Sequence, residues 1–351
     1  MVHRRRSSAV GRPTIADVAK AAGVSVATVD RVLNKRHPVR EETTHRVLQA
    51  AESVKFYATD LLKQRVRPDA PRRTLGFVLQ ERAKEFYQGL AAALTHAAQN
   101  APGVRGRAII EFASGLSPGA VIEKLNAVGA RSDAVAVVAV DHPSITQAVD
   151  ALMARGVPTF GLLTGLTAPN RAGYLGIDNR QAGRMAAWAI ARMARHAGQV
   201  GLLLGSHRYL GHELREIGFR SYFREHAPAF QVLDAIVNLE EERIAYEATL
   251  DLMKRHPDLA GIFVAGGGME GVIAALREED RHGSLAVVVH ELTSATRAAL
   301  VDDIVTLVIA TPVQLLAQRA AEAMIRAIDE NGAERERQLF LPFELYTSEN
   351  L

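Results

Sequence analysis

The sequence contains no cysteine. This absence excludes disulfide bonds, thiol nucleophiles and metal sites with cysteine ligands. No apolar run reaches the roughly 18 residues that a membrane-spanning helix needs, so we expect no membrane partner. The opening MVHRRRSSAV is charged and no apolar stretch follows it, which argues against a secretory signal. Together these absences favour a cytoplasmic protein.

Charge of one sign is concentrated at the front of the chain. Residues 1–73 contain 16 Lys and Arg against 7 Asp and Glu, a net charge of +9, whereas residues 74–351 contain 26 against 32, a net charge of −6. Such asymmetry is typical of a polyanion-binding module attached to a body with another task, with a solvated basic tail as the alternative. The total length of 351 residues predicts two or three compact units.

A proline-rich, charged stretch, Arg67–Arg73, separates two sequence patterns. Before it the signals are those of short capped helices. After it, continuous apolar runs alternate with helical stretches such as Gln181–Arg195 and Val313–Asp329, which predicts an α/β body with right-handed crossovers and two doubly wound lobes. The apolar runs are Thr74–Gln80, Arg107–Phe112, Ala134–Val140, Val157–Leu163, Gln199–Gly205, Ala260–Gly266, Leu285–Glu291 and Ile304–Ala310.

Residues 13–33 carry the signals of two short helices joined by a tight turn. Thr14 followed by Asp17 resembles a capping box, Gly23 suits the left-handed end of the first helix, and Ser25 is a good N-cap for the second. This spacing predicts a helix-turn-helix, the alternative being an ordinary small helical bundle.

A helical wheel of the second helix divides it into two faces. Val29, Val32 and Leu33 form an apolar face that should pack on the first helix. The opposite face presents Val26, Ala27, Asp30 and Arg31, which is the arrangement of a recognition helix in the major groove.

The stretch TIADVAKAAGVSVATVDRVLN (residues 14–34) resembles the DNA-binding head of the lactose-repressor (LacI) family of transcription regulators. The match continues through a third helix at Glu41–Ser53 into KFYATDLLKQR (residues 55–65), where that family has its hinge helix. The resemblance implies an all-α helix-turn-helix head and a two-lobed, type I periplasmic-binding-protein-like core of parallel sheets.

The resemblance also implies a division of the chain. Residues 1–66 would form the DNA-binding head with its hinge segment, 67–73 a linker, and 74–351 the effector-binding and dimerisation domain. Lobe one would span about 74–176 plus 293–310, and lobe two about 177–292 plus 311–351. The three connections between lobes are expected near Gly176–Asp178, Leu292–Thr293 and Thr311–Pro312.

By resemblance, the DNA-contacting positions lie in and around the second helix. Val26 and Ala27 match base-reading positions. The full predicted set is Thr14, Ser25, Val26, Ala27, Thr28, Arg31, Asn34 and Arg65. Asp30 stands where the family usually has serine, and it could pair with Asn34 or accept from a cytosine amino group. Arg65 replaces a hinge leucine, so that a cation rather than an apolar wedge would meet the minor groove.

Polar residues directly after the apolar runs should converge on one cleft, because ligands of α/β sheets bind beyond the carboxyl ends of the strands. Residues found after these runs also include Tyr87, His212 and His290. By resemblance to the family's effector contacts, the predicted effector-binding residues are Phe86, Asp141, Thr164, Arg208, Glu213, Gly267 and Glu291. Carboxylates, an arginine and an aromatic ring suit a polyhydroxyl ligand, so we expect a small polar metabolite such as a sugar or sugar derivative.

Two further motifs point to other chemistry. Gly266–Gly271 matches the GxGxxG fingerprint, with Glu291 placed for a ribose, so a nicotinamide-dinucleotide oxidoreductase is the alternative function. A metal site at His207, His212 and Glu213 matches no strong ligand spacing. A periplasmic sugar-binding protein would share the body but needs an export signal in place of the basic head.

The sequence therefore predicts a cytoplasmic transcription regulator, a repressor, that binds double-stranded operator DNA as a homodimer and responds to a small-molecule effector. We expect no enzymatic activity, no catalytic residues, no metal and no cofactor.

Overall fold

The computed structural model describes residues 13–34, 39–57, 70–281, 283–330 and 338–351. The chain separates near Arg72 into two compact units. The smaller is called the head (residues 13–57) and the larger the body (residues 73–351).

The head contains three helices, α1 (Ile15–Ala22), α2 (Val26–Asn34) and α3 (Glu41–Ser53). The predicted capping box is present, since Thr14 and Asp17 each satisfy the other's backbone N–H. Gly23 ends α1 with a φ of 64°, a left-handed conformation that side chains other than glycine rarely adopt. Apolar side chains of all three helices form one core, which includes Val18, Val29, Val32, Leu33, Val47 and Ala51.

The body alternates strands and helices along its length. Its elements are β1 (Arg72–Gln80), α4 (Glu85–Asn100), β2 (Arg105–Ala113), α5 (Pro118–Gly129), β3 (Ala134–Val137), α6 (Pro143–Ala154), β4 (Thr159–Leu162), β5 (Gly173–Ile177), α7 (Asn179–Met193), β6 (Gln199–Leu204), α8 (Leu210–His226), β7 (Gln231–Val232), β8 (Ile236–Val237), α9 (Glu242–Arg255), β9 (Leu259–Val264), α10 (Met269–Glu278), β10 (Ala286–His290), α11 (Ser294–Val301), β11 (Leu307–Ala310), α12 (Val313–Asp329), β12 (Leu339–Leu341) and β13 (Glu344–Tyr346). All eight predicted apolar runs contain strands, and both predicted helices are confirmed.

The strands form two sheets, one in each lobe. The sheet of lobe one has the order β12-β5-β4-β3-β1-β2, and that of lobe two has the order β13-β11-β10-β9-β6-β7, with β8 beside β6. The central strands of both sheets pair in parallel. Buried apolar clusters cover both faces of each sheet, which explains why the strands read as continuous apolar runs.

The predicted division between the lobes was wrong after residue 292. Strand β11 pairs with β10 in register Val288↔Leu307, so residues 293–310 belong to lobe two. Helix α12 packs in the core of lobe one, and β12 pairs with β5 in the same lobe, so most of 311–341 belongs to lobe one. Strand β13 then returns the chain to lobe two, where it runs antiparallel to β11.

The chain consequently crosses between lobes at residue 178, at 311–312 and at 342–343. The first two crossings were predicted. The third was misplaced at Leu292–Thr293, which lies within lobe two between β10 and α11. Five short strands lie outside the predicted apolar runs, because they are brief or lack a continuous apolar run: β5, β7, β8, β12 and β13.

Candidate functional site

Helix α2 of the head presents an exposed face that begins at its first residue. Val26 is 51% exposed, and Ala27 and Arg31 are exposed beside it. The face therefore carries small apolar groups and a guanidinium near the helix start. These groups suit thymine methyls and guanine O6/N7 in a major groove.

The polar side chains around this face are ordered by neighbours within the head. Ser25 caps α2, because its Oγ accepts from the Thr28 N–H at 3.1 Å. Asn34 Nδ2 donates to Asp30 Oδ1 at 2.7 Å, which confirms the pairing considered from the sequence. This hydrogen bond gives the Asp30 carboxylate a partner within α2.

A cavity lies between the two lobes of the body and encloses about 820 Å³ of empty space, including its open mouth. We call it the inter-lobe cavity. Lobe one contributes residues near the start of α4 and after β3 and β4, and lobe two contributes residues near the start of α8 and after β8, β9 and β10. The lining residues are Lys84, Glu85, Phe86, Tyr87, Val138, Leu163, Thr164, Tyr209, Gly211, His212, Arg215, Glu240, Gly266, Gly267, Gly268, Met269, Glu270, His290, Glu291 and Thr293. The parallel strands of both lobes point their carboxyl ends at this space, as the fold requires.

Arg215 is the buried cation of the cavity wall. It is 8% exposed, and it donates through Nε to Asn179 Oδ1 at 2.7 Å and through Nη1 to the Ala265 carbonyl at 2.8 Å. Burial lowers the pKa of Arg215, while the nearby carboxylates of Glu291 and Glu240 favour its charged form. Two fixed hydrogen bonds therefore hold a guanidinium in a set orientation at the cavity.

An imidazole and a carboxylate, those of His212 and Glu240, lie next to the glycine loop after β9. His212 Nε2 lies 3.7 Å from Glu240 Oε1, and that same oxygen accepts from the Gly267 N–H at 3.0 Å. Burial lowers the pKa of His212 to about 3, with Arg215 adding to the effect, and burial raises the pKa of Glu240. The imidazole is neutral at pH 7 and can donate and accept one hydrogen bond each.

Glu291 links the cavity to a crossing between the lobes. Its Oε1 accepts from Thr311 Oγ1 at 2.7 Å, and its Oε2 accepts from the Thr311 N–H at 2.9 Å. Glu291 also has a φ of 67°, an uncommon conformation for a residue other than glycine. Both carboxylate oxygens thus anchor the segment in which the chain returns to lobe one.

Aromatic rings form a further part of the wall. Phe86 and Tyr87 meet edge to face with ring centroids 5.3 Å apart, and the rings of Tyr209 and His212 lie 5.0 Å apart. Burial raises the pKa of both tyrosines, which keeps their hydroxyls protonated at neutral pH. Rings with a polar edge suit a ligand that has both C–H faces and hydroxyl groups.

The two lobes touch directly around the cavity. The Glu85 carboxylate of lobe one accepts from the Ser294 N–H at 3.1 Å and from Ser294 Oγ at 2.5 Å in lobe two. The Gly211 N–H donates to Thr164 Oγ1 at 3.0 Å, again from lobe two to lobe one. These contacts exist only while the lobes lie close together.

Two family models match the chain. Residues 75–333 match the periplasmic binding protein domain, and residues 14–58 match the bacterial regulatory proteins of the lacI family. The chain belongs to the family of the periplasmic binding protein domain, and its head is similar to the bacterial regulatory proteins of the lacI family.

The similarity to curated lacI-family relatives is concentrated in the head. The ribose operon repressor of Bacillus subtilis is 40% identical over 78 residues, 22% of this chain and 23% of that protein. An uncharacterised HTH-type transcriptional regulator from the aml 5' region of Streptomyces limosus is 27% identical over 214 residues, 61% of this chain and 58% of that protein. The matches therefore cover less than two thirds of either relative.

Solved structures share the fold of the body. An ABC transporter solute binding protein from Agrobacterium vitis, bound with alpha-D-tagatopyranose, superposes with a TM-score of 0.71 at 20% sequence identity. The match covers 79% of this chain and 95% of that one. At this identity the likeness shows the two-lobed fold alone.

Four of the seven residues predicted to bind an effector line the inter-lobe cavity, namely Phe86, Thr164, Gly267 and Glu291. The prediction was wrong in placing Asp141, Arg208 and Glu213 at the cavity wall.

Each of the three misplaced residues has a local reason. The Asp141 carboxylate accepts from Thr167, through both its N–H and Oγ1. The Arg208 carbonyl accepts from the Asp141 N–H across the lobes, while the Arg208 side chain is exposed. Glu213 is exposed because it lies about 100° around α8 from His212.

Several residues of the cavity wall were absent from the predicted set. Tyr87, His212 and His290 were noted after apolar runs but not selected, whereas Arg215 and Glu240 were missed. A helical signal existed for one of them, since Arg215 follows His212 by three residues and so shares its face of α8. Glu240 follows the two-residue strand β8. This strand lies outside the predicted apolar runs, so its end was not considered.

The structure gives the glycine loop after β9 a packing role within lobe two. A Cβ at Gly266 would come within 2.6 Å of the His212 ring, and one at Gly271 would collide with the Glu242 carbonyl. The glycines are thus needed for packing within the lobe. The carboxylate placed for a ribose, that of Glu291, is bound by Thr311 instead. The comparisons give the oxidoreductase alternative no support.

Other predicted features stand as follows. Arg65 lies outside the described residues. Within the part of the chain that the structure describes, no cluster of histidine and carboxylate side chains has metal-site geometry. Among those same residues, no helix has both the length and the apolar character to cross a membrane.

Proposed function

We propose that this chain is a sequence-specific transcription repressor whose DNA affinity is set by a small polyhydroxylated metabolite, a sugar or sugar derivative, bound in the inter-lobe cavity. The observation that carries the proposal is a cavity walled by polar groups of both lobes, in a chain that also contains a helix-turn-helix whose second helix has one exposed face.

The head would read DNA with α2 in the major groove. Val26 and Ala27 would meet thymine methyls, and Arg31 would meet a guanine or a phosphate. The hydroxyls and amide of Thr14, Ser25, Thr28 and Asn34 would contact the backbone. The net charge of +9 in residues 1–73 would add attraction that depends strongly on salt.

The inter-lobe cavity would bind the effector through a mixed set of groups. Arg215 and Glu240 are placed to bind neighbouring hydroxyls, and Phe86 and Tyr87 to cover the C–H face of a ring. The sugar named with the Agrobacterium vitis protein, which shares the fold of the body, agrees with this ligand class.

Control would arise from the lobe arrangement. A ligand that contacts both lobes binds the closed arrangement better than an open one, so it shifts the population toward closure. Coupling of this kind between two sites is typically about 1–3 kcal/mol, or about 5- to 150-fold in affinity.

The chain would act on operator DNA as a homodimer in the cytoplasm. One short recognition helix reads few base pairs, and two-fold symmetry doubles the site. The name of the Bacillus subtilis relative, a ribose operon repressor, favours repression over activation. We propose no enzymatic activity for the chain.

Selection of duplexes from a random library with the purified intact chain tests the proposal. We expect enrichment of a palindromic site, bound about 10³-fold or more tightly than random duplex. Arg31→Ala should remove this preference, while Arg46→Ala, on α3, serves as a matched loss of one positive charge. Equal affinity for all duplexes would refute the proposed function.

A further inference from the structure

His290 is a buried polar group for which the protein supplies no partner. It ends β10, is 1% exposed and lines the inter-lobe cavity. Neither its Nδ1 nor its Nε2 has a hydrogen-bond partner among the residues that the structure describes. A buried group left in this state costs about 1–3 kcal/mol, so its retention calls for an explanation.

Several neighbouring polar groups already make hydrogen bonds within the protein. Arg215 donates to Asn179 and Ala265, Glu291 accepts from Thr311 with both oxygens, and Thr164 accepts from Gly211. The ring of His290 is held against Phe263, with the centroids 5.6 Å apart. The imidazole therefore stands in a fixed place with its hydrogen-bonding capacity unused.

The environment of His290 keeps its imidazole neutral. Burial lowers its pKa well below the ordinary value, and the nearby Arg215 and His212 act in the same direction. A neutral imidazole offers one N–H donor and one acceptor nitrogen. Hydroxyl groups, which donate and accept, match this pair, whereas the oxygens of a carboxylate or phosphate only accept.

The charges around the cavity disfavour an anionic ligand. Four carboxylates line it, those of Glu85, Glu240, Glu270 and Glu291, against the two cations Lys84 and Arg215. Lys84 Nζ already lies 4.0 Å from Glu270 Oε2. A ligand with a negative group would meet an excess of its own sign in this cavity.

We propose that His290 selects the ligand: it binds hydroxyl groups of an uncharged ring polyol of the neutral-sugar class, and the inter-lobe cavity discriminates against sugar acids and sugar phosphates. The inference rests on the proposed function, since it concerns the ligand of the same cavity.

A thermal-shift and calorimetric panel on the intact chain tests the ligand class. The panel contains neutral pentoses, hexoses and hexitols, each beside its aldonic acid and its phosphate ester. We expect at least one neutral member to stabilise the protein and its acid and phosphate to bind at least tenfold more weakly. An acid or phosphate that binds as tightly as its neutral parent, or a panel in which no neutral member binds, overturns the inference.

Variants of His290 test its role with the best neutral member. His290→Phe should weaken binding at least tenfold without lowering the unfolding temperature of the free protein, because it removes an unsatisfied buried group. His290→Gln keeps a donor and an acceptor and should recover part of the affinity. His207→Phe, at an exposed histidine outside the cavity, is the matched control. Wild-type affinity in His290→Phe refutes the role.

The duplex selection distinguishes failure of the proposed function from failure of the inference about the ligand. A chain that prefers one duplex and responds only to an acid or phosphate keeps the proposed function and loses this inference. A chain that binds neutral sugars through His290 but prefers no duplex keeps the inference about the ligand and loses the proposed regulator.

Discussion

Removing the contact between Glu85 and Ser294 should change lobe closure by an amount that can be measured. The Glu85 carboxylate in lobe one accepts from both the N–H and the Oγ of Ser294, the first residue of α11 in lobe two. Hydrogen bonds to a charged group are worth about 1.5–3 kcal/mol when shielded. Glu85 is exposed, so solvent screening reduces the contribution of this contact to about 1 kcal/mol.

Glu85→Ala should therefore favour the open arrangement of the lobes and weaken binding of the effector. A loss of about 1 kcal/mol in the closed state lowers the apparent affinity by up to about fivefold. Calorimetry with the stabilising neutral sugar measures this change. Small-angle scattering of the free variant should report a larger radius of gyration than the wild type, because more molecules are open.

The matched control is Glu123→Ala, which removes an exposed carboxylate from the same lobe outside the cavity. It should leave both readouts at wild-type values. Unchanged sugar affinity together with unchanged scattering in Glu85→Ala would refute the assignment of this contact to closure.

Three further predictions concern the head and the buried histidines. Arg31→Ala should abolish preference for the selected duplex and leave sugar affinity intact; an unchanged duplex preference would count against the head assignment. Duplex affinity should fall steeply between 50 and 200 mM salt, by about 10³-fold if some six phosphates are neutralised; a flat salt profile contradicts this electrostatic account. Burial lowers the pKa of His212 and His290, so the unfolded chain binds more protons than the folded chain below about pH 6.5, and stability should fall with acidification. At pH 5.5 the neutral His212 should cost about 1.4 kcal/mol, and His290 should act in the same direction. The raised pKa values of Glu240 and Glu291 act in the opposite sense and offset part of this loss. Urea unfolding at pH 7.5 and 5.5 should show a smaller loss in His290→Phe than in the wild type, and equal losses would contradict the buried neutral state.

Local signals explain why the head was predicted from sequence in detail. The capping box at Thr14, the left-handed Gly23 and the cap at Ser25 act over three or four residues, so a short stretch of sequence contains all that determines them. The pairing of Asp30 with Asn34 follows equally from helical spacing.

The body was predictable as strands and helices but less so as lobes. The apolar run that ends in β11 looks like any other run, and only its register with β10 assigns it to lobe two. Likewise α12 carries an apolar face that fits either lobe, and the side chains of lobe one decide where it packs. Such choices depend on contacts between residues far apart in the chain.

The cavity residues likewise divide into those with a local sequence signal and those placed by the fold. Glu291 was predicted because it ends a long apolar run, and Phe86 because it lies at the start of the helix that follows the first run. Arg215 and Glu240 were missed because a helix face and a two-residue strand bring them to the wall. The ends of the strands are therefore enough to locate the cleft. The orientation of the helix that follows each strand decides which side chains line it.

The most direct test of the central claim is the affinity of the intact chain for its selected duplex, measured with and without the neutral sugar that stabilises the body. The account predicts that the sugar changes this affinity at least fivefold, and that Glu85→Ala reduces the change. An affinity that is identical with and without bound sugar would contradict the claim that the inter-lobe cavity controls the head.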